Sequence, residues 1–162
     1  AMRLDSPAFD DGQPIPRLYT LEGSNLSPPL RWSGVPATAR SLCLILDDPD
    51  APSGLWVHWV IYDIPASSQG LPAGLPPTGP LADGSRQGRC WGVHRFSRHG
   101  YQGPQPPPGP AHRYRFTLTA LAGRLGLPEG ISAPELQAAM ADLRLAEAVL
   151  WGTYAASAPA RH

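Results

Sequence analysis

The sequence predicts an all-β sandwich with a short helical excursion near its C-terminus, and three observations carry that reading. Short apolar runs separated by Pro, Gly and Ser clusters fill the first three quarters of the chain. A helical period is absent until Ser132. The 21 prolines and 17 glycines supply many turns, while 42% hydrophobic residues leave ample material for a core.

The strands are expected at LRW (30–32), SLCLILDD (41–48), WVHWVIYDI (56–64) and YRFTLTAL (114–121), with a further candidate at Leu18–Leu21. In SAPELQAAMADL, Ser132 and Glu135 form a capping box and Pro134 is tolerated in the first turn. Leu136, Met140 and Leu143 then share one face, which predicts the helix. AVLWGTYAA, from Ala148, is a last strand candidate. The stretch from Pro65 to Gly109 has no clear period and reads as a long covering loop. It is ordered rather than a linker, because it holds Trp91, Phe96 and Tyr101 together with His94 and His99.

At 162 residues the chain is read as a single domain, 1–162. Thirteen basic and thirteen acidic residues balance, which gives no electrostatic case for nucleic acid or an anionic membrane. Cys43 and Cys90 cannot form a disulfide framework, although one bridge between them is compatible with the sequence. No apolar h-region and no apolar run of bilayer length occur, so the expectation is a cytoplasmic protein without membrane insertion. Monomer and homodimer are both compatible with the sequence.

The stretch DDPDAPSGLWVHWVIYDIP, residues 47–65, sets three carboxylates and two prolines directly before an apolar strand that carries one histidine. Strict alternation puts His58 on a face with Val60 and Tyr62, opposite Val57, Trp59 and Ile61. In HRYRFTL the same rule groups His112, Tyr114, Phe116 and Leu118, with Arg113, Arg115 and Thr117 opposite. Both histidines lie near the start of a strand, where a sandwich opens, and could floor a small pocket. Each could equally be a core histidine bonded to backbone.

SNLSPPLRWSGVP (24–36), DPDAPSGLWVHWVIYDIPA (48–66), GYQGPQPPPGPAHRYRFTLTAL (100–121) and LAEAVLWGTY (145–154), in that order, resemble the phosphatidylethanolamine-binding protein family. The likeness is greatest to its short bacterial, Raf-kinase-inhibitor-like branch. The resemblance implies two antiparallel sheets with Greek-key connections and a pocket at one end for small anions and phosphorylated head groups. Carried over position by position, it implies a pocket wall of Asp48, Asp50, His58, Pro106, Pro107, His112 and Tyr114. A cis Ala51–Pro52 bond is implied as well. The segment RQGRCWGVHRFSRHGY, from Arg86, departs from the family pattern and adds Cys90, Trp91, His94 and His99.

The chemistry expected of these residues is hydrogen bonding from two imidazoles and a phenol to phosphate or carboxylate oxygens. Asp48 would hold a histidine in a donor tautomer, or accept from a protonated anion or an ammonium group, and affinity would fall as the imidazoles deprotonate near about pH 6.5. Arg113, on the face opposite His112, is expected to pair with Asp50 or a neighbouring carboxylate. The first functional reading is a binding or regulatory protein for a small anionic or phosphorylated molecule, with no cofactor. The alternative is a non-covalent acid/base enzyme acting on a small carbonyl compound by elimination, cyclisation or isomerisation. There His58 or His112 would be base or acid, Asp48 the orienting group and Tyr114 the oxyanion donor. A metal site of His58, His112 and a carboxylate is a lesser reading, since no zinc-type ligand spacing accompanies it.

Overall fold

The computed structural model describes residues 1–51, 56–78, 80–93 and 96–156. In chain order the strands are β1 (Arg3–Asp5), β2 (Gln13–Pro14), β3 (Leu30–Ser33), β4 (Ser41–Asp48), β5 (Trp56–Pro65), β6 (Gly70–Leu71), β7 (Arg86–Gln87), β8 (Arg89–Val93), β9 (Phe96–His99), β10 (His112–Leu121) and β11 (Arg144–Tyr154). The helix α1 (Ala133–Met140) precedes β11. Six strands form the main sheet in the order β2-β11-β10-β4-β5-β7, and β1-β3-β6 form a second sheet. β8 and β9 make a separate hairpin. All pairings are antiparallel except the two-residue pairing of β2 with β11. The fold is the all-β, antiparallel sandwich that the sequence predicts.

Two cores flank the main sheet. On the front, Leu42, Leu44, Leu46, Trp59, Phe116 and Leu118 pack with Leu4, Leu30, Trp32 and Leu71 of the small sheet. On the back, Cys43, Ile45, Val60 and Tyr62 pack with Ile131, Leu136 and Met140. Coverage on both faces explains why SLCLILDD is buried from end to end and shows no polar alternation. Cys43 and Cys90 both lie in the back core without a disulfide between them, so the bridge compatible with the sequence is not formed. Burial pushes the Cys43 thiol up to about 12.

Helix α1 starts as its sequence dictates. The Ser132 hydroxyl accepts from the Glu135 N–H, and the Glu135 carboxylate accepts from the Ser132 N–H. Ala133, Leu136 and Met140 are its buried residues on the back core, whereas Leu143 lies beyond the helix end and packs at the margin. Leu18–Leu21 is not a strand. Arg17–Tyr19 is a single 3-10 turn, because the N–H and hydroxyl of Thr20 both donate to the Arg17 carbonyl and close the chain locally. The supposed covering loop 65–109 contains β6 to β9, and β11 begins at Arg144 rather than Ala148.

One irregularity matters for everything that follows. β4 and β5 pair Leu46 with Trp59 and then Asp47 with Val57, so His58 is the extra residue of a β-bulge. A second register shift near Asp63, whose φ is 54°, lies further along the same strand. Strict alternation therefore fails in β5. Val57 joins Val60 and Tyr62 in the back core, while Trp59 faces the front.

Candidate functional site

Four elements end or begin at the same edge of the sandwich. β4 finishes at Asp48, β5 reaches His58 at its third residue, β10 opens at His112, and β11 closes at Tyr154 opposite His112. The strand pattern alone sends Asp48, His112 and Tyr114 to the front face, since they continue the rows of Leu46 and Phe116. His58 reaches that face only through the bulge. Its ring meets Tyr114 edge-on, with centroids 5.3 Å apart and planes at 78°. The expected grouping of His58 with Val60 and Tyr62 is thus corrected.

Asp48 Oδ2 lies 2.7 Å from His112 Nδ1. The acid is 3% exposed and the imidazole half-buried. A carboxylate accepts only, so Nδ1 carries the proton and Nε2 is left for another partner. The other oxygen of Asp48 accepts from the Asp50 N–H at 2.8 Å, which folds the acidic segment into a turn. Asp48 also acts electrostatically on His58 and Tyr114, so its charge is shared by all three rings of the cluster.

His58 is held by backbone. Its Nδ1 stands 2.6 Å from the Gln102 carbonyl, and the Gln102 N–H donates to the His58 carbonyl at 2.9 Å. The segment that supplies these groups is itself tied down: the Gly103 N–H donates to Asn25 Oδ1, and the Tyr101 hydroxyl donates to the Tyr19 carbonyl. Burial holds the His58 ring below its ordinary pKa, against the opposing pull of the Gln102 carbonyl and Asp48. Of the two ring nitrogens of His58, Nδ1 is thus committed to Gln102 and not to an anion. Burial also raises the Tyr114 phenol, helped by the charges of Asp48 and Asp50, so it stays a protonated donor.

Asp50 is differently employed. Arg113 reaches it with its backbone N–H, Nε and a terminal nitrogen at 2.9, 2.9 and 3.0 Å, the pairing expected from the sequence. The guanidinium hydrogen bond holds the Asp50 carboxyl down at about 2. Asp50 thus braces the turn that aims Asp48. Pro106 is buried and Pro107 exposed, so only the first is enclosed. Ala51–Pro52 and His94 involve residues outside those described, and His99 is exposed against Gly130. Among the described residues no His/Cys/Asp/Glu group is arranged to hold a metal ion.

Sequence reasoning did not assign Gln102, which acts through its main chain and so leaves no side-chain signal. Nor did it give Asp47 a role. Asp47 faces the back, directly opposite Arg115 in the strand register, and takes its guanidinium in two bonds of 2.9 and 3.0 Å. A cleft of about 380 Å³ on that back face is lined by this pair with Thr117, Gln137 and Trp151, and it is separate from the Asp48–His112 cluster.

Fold and site define a β-sandwich protein with an acid–histidine–tyrosine cluster at one end of its main sheet. The chain belongs to the phosphatidylethanolamine-binding protein family, whose profile matches residues 5–155. It is 49% identical to a UPF0098 protein of Methanothermobacter thermautotrophicus over 153 residues, 94% of this chain and 98% of that one. CT736 of Chlamydia trachomatis, a homologue of the family, superposes with a TM-score of 0.85 at 38% identity, covering 97% of this chain and 99% of its own. Escherichia coli YbcL, described as a new member of the mammalian family, gives 0.86 at 28% identity, covering 96% and 99%. No described helix is long and apolar enough to cross a membrane. LppC of Mycobacterium tuberculosis, a candidate lipoprotein, is 40% identical over 155 residues.

Proposed function

We propose that the chain binds a small anionic or phosphorylated ligand where Asp48, His58, His112 and Tyr114 converge. The observation that carries this reading is the Asp48–His112 pair, at 2.7 Å with the acid almost wholly enclosed. A carboxylate there holds the Nδ1 proton and favours the imidazolium, whose Nε2–H then donates to a ligand oxygen, and Tyr114 supplies a second donor nearby. Family membership supports the reading without fixing the ligand.

The same pair supports a second reading, that of an acid/base enzyme. An imidazole backed by a carboxylate is the arrangement of a base with its orienting group, and Tyr114 would stabilise an oxyanion. Binding is the simpler use, since it requires no step beyond the contacts present.

Isothermal calorimetry with methyl phosphate at about pH 5.5, where its monoanion dominates, tests the proposal. His112→Ala and Asp48→Asn should each weaken binding about tenfold or more, the loss of a charge-assisted bond. Binding by His112→Ala equal to that of the wild type would show that the pocket lies elsewhere.

A further inference from the structure

The hydrogen bonds of His58 say more about the ligand than its presence does. The Gln102 carbonyl can only accept, so the 2.6 Å contact requires a proton on Nδ1. The residue is 5% exposed and sits in a bulge whose carbonyl accepts from the Gln102 N–H. A neutral ring with Nδ1 protonated keeps a bare lone pair on Nε2. The charged and titratable groups on its face are Asp48 from β4 and Tyr114 from β10, while Asp47 acts on it only at a distance, from the back face. From the 101–104 segment it meets the main chain of Gln102 and Gly103. The N–H groups of Gln102 and Gly103 are committed to the His58 carbonyl and to Asn25 Oδ1, so the Tyr114 hydroxyl is the one uncommitted donor among these groups.

We infer that the pocket selects its anion by a proton: the preferred ligand is a small oxyanion that still carries an O–H, such as a phosphomonoester monoanion, and an isosteric sulfate ester is discriminated against. This rests on the binding site proposed above. A ligand O–H donates to His58 Nε2 while its bare oxygens accept from Tyr114 and, when that ring is protonated, from His112. A sulfate ester has only acceptors, so one of its oxygens faces the His58 lone pair with no proton between them, leaving both groups unpaired. His58 is thereby a specificity-determining residue rather than a second anion donor.

Methyl phosphate and methyl sulfate form the test pair, because at about pH 5 each carries a single negative charge and they differ mainly by one proton. The wild-type protein should bind methyl phosphate about tenfold or more tightly than methyl sulfate. In His58→Gln the terminal amide can turn either its NH2 or its oxygen to the ligand, so that ratio should fall toward one. Independently of any variant, nitrogen-15 NMR of the wild type with methyl phosphate bound should show His58 protonated at Nδ1 and bare at Nε2. Equal affinity for the two esters, or a proton on Nε2, overturns the selectivity and leaves the binding site standing. Failure to bind either ester overturns the site and the selectivity together.

Discussion

Asp47 and Asp48 are adjacent in the chain, on one strand, and both almost fully buried, yet the main sheet puts them to different uses. Asp47 points to the back and meets Arg115, a cation at every accessible pH, in a two-bond fork. Asp48 points to the front and meets His112, whose charge can be switched. The back-face ladder extends to Trp151, over whose ring both Arg113 and Arg115 lie, at 5.2 and 5.7 Å from its centroid. The front-face ladder extends to Tyr114 and His58, two more groups with protons to give or hold. A carboxylate with a permanent partner is a strut. One with a titratable partner is where we propose that a ligand binds.

Exchanging each acid for its amide should separate the two roles. Asp48→Asn is expected to lower methyl phosphate affinity about tenfold or more, since an amide cannot hold His112 Nδ1–H as a carboxylate does. Asp47→Asn should instead lower the unfolding free energy by about 1 kcal/mol, a value discounted because Arg115 keeps a third of its side chain in water. Its ligand affinity should stay within about twofold of the wild type, because the lost contact is on the other face. Chemical denaturation and calorimetry on the same preparations check both arms. A crossed result, with Asp47→Asn abolishing binding, would erase the distinction between the faces.

The two faces also differ in how far the sequence discloses them. In β10 the alternation of His112, Tyr114 and Phe116 against Arg113 and Arg115 is regular, and both the front-face row and a separate carboxylate partner for Arg113, found to be Asp50, follow from it. In β5 the same rule misplaces His58. A bulge costs one unpaired residue and needs no glycine or proline, so VHWVIY carries no mark of it. The short strands β6 to β9 escape notice for a related reason: runs of two to five residues amid Pro and Gly hold too few side chains to show a period. The capping box at Ser132 is legible because its hydrogen bonds are local in sequence. The tie between His58 and Gln102 spans 44 positions and uses a main-chain carbonyl, so no residue type announces it.

Stability against pH sharpens the contrast between a buried neutral imidazole and a surface carboxylate. His58 is held below its ordinary value in the native state, so below about pH 6.5 the unfolded chain takes up a proton that the native state refuses. Stability from this group is present at pH 7 and above, and is lost as pH falls from about 7 toward 5, by at most about 1.4 kcal/mol per pH unit. His58→Gln should flatten that part of the profile. Asp50 acts in another window: its contribution is present above about pH 4 and lost as pH falls through its native value of about 2. Urea denaturation midpoints in half-unit steps from pH 3 to 8 would resolve the two. A wild-type slope between pH 7 and 5 that His58→Gln leaves unchanged would assign it to some other group.

The smallest expected effect belongs to Arg113, and it probes how the turn is aimed. Its side chain is 60% exposed, so removing its charge should alter thermal stability little, less still as salt is added. Its influence is instead local. The guanidinium holds the Asp50 carboxylate, the Asp50 N–H donates to Asp48 Oδ1, and the other Asp48 oxygen takes His112. Arg113 and His112 are consecutive residues, so the two pairs and the turn close a ring of bonds around the start of β10. Cutting that ring at Arg113→Gln should return the Asp50 carboxyl from about 2 toward the ordinary aspartate value of about 3.9. Arg113→Lys should fall between, because an ammonium keeps the charge but loses the fork. Carbon-13 titration of the side-chain carboxylates reads this directly. If Asp50 keeps its low value in Arg113→Gln, the turn is set by its own main-chain bonds and the guanidinium only decorates it.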